Sequence, residues 1–197
     1  MLGPDHPYTL ATRNNIAYMT GQRGDAAGAL RLFRELLPDQ ERMLGPDHPD
    51  TLTTRNNIAS WTGKCSDLEG ALRLSRELLP DRERVLGPDH PDTLTTRNNI
   101  ASFTGYRGDQ EGALRLLREL LPDEERVLGP DHPDTLVTRN NIAYWTGQRG
   151  DVAGALRLLR ELLPDRERVL GPDHPDTLAD RNEIAYWARM LTEKGGQ

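Results

Sequence analysis

The chain has 197 residues, a formal charge of −6, and only 36% hydrophobic and 5% aromatic residues, less than one compact core of that size ordinarily draws on. An acidic balance without a basic stripe excludes phosphate-backbone binding, so no nucleic-acid partner is expected. A lone cysteine, Cys65, rules out an internal disulfide, and no stretch approaches the roughly 20 apolar residues of a membrane span. Together with an opening Met1-Leu2-Gly3-Pro4-Asp5-His6 that has neither basic nor apolar targeting character, this makes a cytoplasmic protein with no membrane partner the expectation.

Self-similarity sets the organisation. Gly-Pro-Asp-His-Pro recurs with its histidine at His6, His48, His90, His132 and His174, at intervals of 42 residues. Thr-Leu follows each time, then Arg-Asn-Asn-Ile-Ala from Arg13, Arg55, Arg97 and Arg139, with Arg-Asn-Glu-Ile-Ala from Arg181. Gly-Ala-Leu-Arg-Leu returns at Gly28, Gly70, Gly112 and Gly154. One repeat domain over residues 1–197 is expected, with copies near 6–47, 48–89, 90–131 and 132–173 and a capping helix over 174–194.

Within a copy the pattern predicts helix, turn, helix. In the second, Asp47 reads as an N-cap with Asp50 as its capping-box partner. Pro49 fits the first turn, where backbone N–H groups lack helical partners anyway. Helix A is predicted over Pro49–Thr62, with Leu52, Ile58, Ala59 and Trp61 apolar and Gly63 as its stop. Helix B begins near Asp67, carries Leu68, Ala71, Leu72, Ser75, Leu78 and Leu79 on one face, and ends before Gly87-Pro88. Pro38, Pro80, Pro122 and Pro164 fall inside this second helix. Each would cost about 3 kcal/mol if unaccommodated, so helix B either kinks there or ends early and is followed by a short extra turn. The fifth helix A, over Pro175–Thr192, departs from the pattern with Glu183 for Asn and Ala188-Arg189 for Thr-Gly, as a closing helix would.

These residues resemble the 42-residue tetratricopeptide repeat of kinesin light chains and bacterial regulatory proteins. The match rests on His48-Pro49-Asp50-Thr51-Leu52, Asn56-Asn57-Ile58-Ala59, Gly70-Ala71-Leu72 and Arg84-Val85-Leu86-Gly87-Pro88, and it extends over essentially the whole chain. The resemblance implies an all-α, right-handed solenoid of stacked helix pairs. Its A helices would line a concave groove for a peptide or partner protein, and the chain would serve as a scaffold or as the sensor arm of a larger signalling protein. Ala17, Ala59, Ala101 and Ala143 match the family's small helix-A residue. By that correspondence Asn15, Asn57, Asn99 and Asn141, with Tyr18, Ser60, Ser102 and Tyr144, face the groove. Where the shorter form of the repeat carries tryptophan, this chain has arginine at Arg13, Arg55, Arg97, Arg139 and Arg181. Those arginines either favour an acidic ligand or are tied to Asp81, Glu83 and their equivalents.

An amide ladder suits peptide binding because each Asn offers donors and an acceptor to a ligand backbone. With two Asn per copy, one is expected to face ligand and the other to hold neighbouring helices together. Met19, Trp61, Phe103, Trp145 and Trp187 are expected to pack between repeats, whereas Tyr18, Tyr106 and Tyr144 carry polar tips suited to a ligand. The five histidines sit one per repeat, about 8–10 Å apart in a stack, too far to share an ion, so no metal site is expected. No nucleophile–base pair or phosphate loop appears, so neither enzymatic activity nor a cofactor is expected. A second expectation is a homo-oligomer, assembled end to end through an N-terminal helix pair without a cap of its own.

Overall fold

The computed structural model describes Gly3 and residues 6–195. The remaining residues at either end, including most of the segment read above for targeting character and the final Gly196-Gln197, lie outside it. Among the described residues there are nine α-helices and no strand: α1 (Pro7–Gln22), α2 (Ala26–Met43), α3 (Pro49–Lys64), α4 (Leu68–Leu86), α5 (Pro91–Tyr106), α6 (Gln110–Val127), α7 (Pro133–Gln148), α8 (Val152–Leu170) and α9 (Pro175–Gly195). Odd-numbered helices are the predicted A helices, and α2, α4, α6 and α8 are the B helices. The chain divides into two compact units, Met1–Phe103 and Thr104–Gln197. In the first, α1 packs on α2 and α3, α2 on α3, and α3 on α4; in the second, α6 packs on α7, α7 on α8 and α8 on α9. The fold is thus of the all-α repeat-solenoid type, each helix burying an apolar stripe against its neighbours.

The A helices start differently from the expectation. His48, not Asp47, is the N-cap of α3, and its Nδ1 accepts from the Asp50 backbone N–H at 3.2 Å. His6, His90, His132 and His174 do the same for Tyr8, Asp92, Asp134 and Asp176. The imidazole Nδ1 serves here because it reaches the second amide of a helix whose first residue is proline. Asp47 is instead held by Arg84 of α4, with Nη2 at 2.6 Å. The B helices start as expected, with Asp25, Asp67, Asp109 and Asp151 accepting from Gly28, Gly70, Gly112 and Gly154 at 2.7–2.8 Å.

The interior prolines do not break helix B: α4 runs through Pro80 to Leu86, and the other three B helices are likewise continuous. All four proline rings lie on exposed positions. In the first repeat Arg13 braces the affected turn, donating from Nη2 to the Glu35 carbonyl at 3.2 Å and from Nη1 to Asp39 at 2.7 Å. A helix-A arginine thereby supports the turn that has lost the proline N–H.

The stack is keyed by rings set against glycines. Trp61 lies over Gly21, Phe103 over Gly63, Trp145 over Gly105 and Trp187 over Gly147, each ring where a Cβ on the glycine would have to be. Gly63 is therefore not a stop; it lies inside α3 and makes room for Phe103. Ala17, Ala29, Leu30, Phe33, Ile58 and Trp61 form a core in the first unit, and Ala143, Val152, Ala155, Leu156, Leu159 and Trp187 one in the second. Met19, expected between repeats, is instead exposed, because among the described residues no earlier helix pair covers α1. Ile16 is 53% exposed against 6% for its equivalent Ile58.

Two stability changes follow. A Cβ at Gly147 would stand 2.6 Å from the Trp187 ring, so Gly147→Ala should lower stability by about 1–3 kcal/mol although alanine is the better helix former, as thermal melting will show. Ser66 holds φ 71°, where the other copies have Gly24, Gly108 and Gly150. Ser66→Gly should therefore raise the melting temperature, by about 2–4 °C for roughly 1 kcal/mol.

Candidate functional site

The asparagines expected to face a ligand do not all share one environment. In the first unit, Asn15 is exposed, Asn57 is half-buried, and neither amide has a hydrogen-bond partner among the described residues. Asn99, also half-buried, donates from Nδ2 to Asn56 Oδ1 of the preceding A helix at 3.2 Å. Thr54 Oγ1 donates to Asn14 Oδ1 at 3.4 Å, so the first Asn of each pair does lie at a joint between repeats. Tyr18 is exposed, and Ser60 and Ser102 are half-buried. In the second unit Asn141 and Tyr144 are both half-buried, and Glu183 occupies the register position of the second Asn. There Tyr106, Tyr144 and Trp145 cluster: Trp145 meets Tyr106 and Tyr144 edge-on at 5.0 and 4.8 Å, and the two tyrosine rings lie 6.4 Å apart. Burial, Tyr144 and then Glu183 push the Tyr106 phenol above its ordinary pKa.

Of the two readings of the helix-A arginines, internal pairing holds where their contacts are described. Arg13 meets Asp39 at 2.7 Å, Arg55 meets Asp81 at 2.7 Å and Arg139 meets Asp165 at 2.9 Å, each aspartate directly following the helix-B proline. Arg181, in the last helix, takes Glu167 at 2.7 Å. A second arginine shares each aspartate: Arg42 with Asp39, Arg84 with Asp81 and Arg168 with Asp165. Hydrogen bonds from Arg13, Arg55 and Arg139 are the main reason Asp39, Asp81 and Asp165 titrate below the usual carboxylate range. Their cationic charge is thus largely spent within the protein rather than offered to an acidic ligand.

One position escaped the sequence reading. Gln40, Arg82, Glu124 and Arg166 share a register on helix B, and all four are buried. The signal was present as a polar residue recurring on an otherwise apolar face, but it was hidden by its change of identity from copy to copy. Arg82 donates to the Asp92 carbonyl, to Thr96 Oγ1 at 2.8 Å and to the Leu52 carbonyl at 3.5 Å. Arg166 donates to the Asp176 carbonyl at 3.4 Å, to Asp180 Oδ1 at 2.8 Å and to the Leu136 carbonyl at 2.9 Å. Gln40 makes no such bonds; its Oε1 is buried without a partner and borders a pocket of about 210 Å³ walled by Ala11, Asn14, Asn15, Asp50 and Thr53.

Asp180 stands where the other copies have Thr12, Thr54, Thr96 and Thr138. It is wholly buried, paired with Arg166, and also accepts from Asn140 Nδ2 at 2.9 Å, while Asn140 reaches Glu183 at 3.4 Å. Burial pushes its carboxyl up to about 6, outweighing the pull of Arg166 and Asn140. A 2.8 Å ion pair would ordinarily read as stabilising, but here desolvation costs more than the pairing returns. Burial and Asp180 push Glu183 up as well. Among the described residues no group of three or more His, Cys, Asp or Glu side chains is placed to hold a metal ion, and no helix is long and apolar enough to cross a membrane.

A family model described as tetratricopeptide repeat matches residues 9–50, 51–92, 93–134 and 135–176. Among solved structures, the nearly identical TPR-like repeats of a Podosopora anserina kinesin light chain share 22% identity and superpose with a TM-score of 0.73, covering 97% of this chain and 90% of that one. A single-substitution variant of those repeats gives 21% identity and 0.73, with 100% and 91% covered. BtubC (BKLC) from P. vanneervenii gives 16% identity and a TM-score of 0.70, with 96% and 82% covered. At such identities the likeness is one of fold. A search of curated proteins finds no match.

The raised Asp180 carboxyl has a measurable sign. Its folded pKa lies above the ordinary value of 3.8, so the folded state holds the proton more tightly and gains stability from this group as pH falls from about 6 towards 4. Compared with Asp180→Thr, which restores the residue of the other copies, the wild type should gain about 1 kcal/mol between pH 7 and pH 5. Parallel melting curves of the two proteins across that range would show the carboxyl to be unperturbed.

Proposed function

Since the chain belongs to the tetratricopeptide repeat family, whose members are generally non-enzymatic protein-interaction scaffolds, we propose that the A-helix face of its repeats binds an extended segment of a partner protein. The observation that carries this reading is the pair of amides at Asn15 and Asn57. They sit one repeat apart on α1 and α3, reach solvent, and are not used by the fold. Unused amides with both donor and acceptor atoms suit a peptide backbone and leave its side chains to be read by neighbours such as Tyr18 and Ser60. In the second unit Asn141 and Tyr144 hold the equivalent sequence positions on α7. The paired arginines argue for recognition through neutral hydrogen bonds rather than through a basic groove. A role as the sensor arm of a larger protein accords with this surface, which needs nothing further from the chain to receive a segment.

An array of extended peptides probed with the full chain should yield ligands whose affinity falls about ten- to thirtyfold in an Asn15→Ala/Asn57→Ala double variant, as two lost hydrogen bonds of about 1 kcal/mol each require. The melting temperature should stay unchanged, because neither amide holds the fold. Affinity that survives the double substitution would remove this face as the binding surface.

A further inference from the structure

The protein shows, in two of its own repeats, what fits the space left open in the first. Arg82 fills its site by donating to the carbonyls of Leu52 and Asp92 and to Thr96 Oγ1, with the Asp92 carboxylate 3.8 Å from Nη2. Arg166 repeats the arrangement on Leu136, Asp176 and Asp180. The corresponding acceptors in the first repeat are the carbonyls of Leu10 and Asp50 and the hydroxyl of Thr54. Gln40 is shorter than arginine and bonds to none of them, and a pocket between α1, α2 and α3 opens beside it, with Gln40 and Asp50 on its wall.

That pocket carries features beyond its shape. Gln40 is 2% exposed, and its Oε1 has no partner, which leaves a buried acceptor in need of a donor. Asp50 stands on the wall as the equivalent of Asp92, the carboxylate beside the Arg82 guanidinium. Thr54 donates its own proton to Asn14 and so keeps its oxygen available to accept. The Asp50 carboxylate puts an anionic acceptor on the wall, and the chain as a whole carries −6. Asn15, one of the two unused amides, lies on the rim.

We propose that the pocket between α1, α2 and α3 is a receptor for a guanidinium group, supplied by an arginine side chain of the partner segment. Its planar, five-donor head is the chemistry the acceptor set matches, whereas a lysine ammonium offers no matching fork. The source of the arginine rests on the reading that the A-helix face receives a peptide; the guanidinium preference rests on the pocket alone.

Calorimetric titration of the full chain with acetyl-Ala-Arg-Ala-amide tests it. Saturable binding in the millimolar range is expected, at least tenfold weaker for the citrulline peptide, which keeps the shape and loses the charge. Gln40→Arg should abolish binding by placing the protein's own guanidinium in the pocket, and should melt no lower than wild type because it recreates the second repeat's residue. Equal binding of the citrulline peptide, undiminished binding by Gln40→Arg, or no saturable binding of the arginine peptide would each overturn the proposal. Array ligands that lack arginine yet depend on Asn57 would sustain the peptide-binding reading while this one fell. Arginine binding indifferent to Asn57→Ala would separate the two in the other direction.

Discussion

The seating of one aromatic ring from each A helix after the first against a glycine of the A helix before it governs the rest of the structure. Glycine within a helix is normally a weakness of up to about 1 kcal/mol relative to alanine, and each of these glycines lies in the last turn of its A helix. Here the missing Cβ admits Trp61, Phe103, Trp145 or Trp187, and burying so large a ring more than offsets the weakness. The same contact fixes the register of neighbouring A helices, and that register decides which polar residues are presented together. Asn56 meets Asn99 across one joint, and Asn14 meets Thr54 across another, because the rings have already set the offset.

Charge plays a different part. Arginines and aspartates on both helices of a repeat pair with one another, and Arg84 and Arg168 also reach the loops at Asp47 and Asp131. These exposed pairs contribute little stability individually, but they hold the connection into each A helix against the B helix that follows it. They commit the helix-A arginines Arg13, Arg55, Arg139 and Arg181 to partners within the protein. Among the described residues, the polar groups left unengaged include the amides of Asn15 and Asn57 and the Asp180 Oδ2.

The periodicity made the helix pairs, their order and their buried residues legible from the sequence, since Leu52, Ile58, Ala59 and Trp61 recur at helical spacing and are all buried. The function of single residues inside the pattern was less legible. Asp47 and His48 are adjacent and both able to cap, and only the path of the loop decides that the imidazole takes the amide while the carboxylate takes Arg84. Gly63 looks like a stop in any one copy, and its use as a seat depends on a ring 40 positions later. The candidate site divides the same way. The asparagine pairs were visible, but Gln40 was not, because what matters there is a side chain too short for acceptors that other copies satisfy.

The ring-and-glycine joint also bears on how such an array can change in length. Every joint uses the same two positions, and tryptophan and phenylalanine serve interchangeably against the glycine. Excision of one 42-residue period, for instance between Gly21 and Phe103, would bring together two surfaces each already shaped for a partner of that kind. Unequal recombination between such similar segments could then shorten or lengthen the stack without disturbing its joints. What such events would alter is the order in which distinctive residues such as Gln40 and Tyr106 follow one another along the chain.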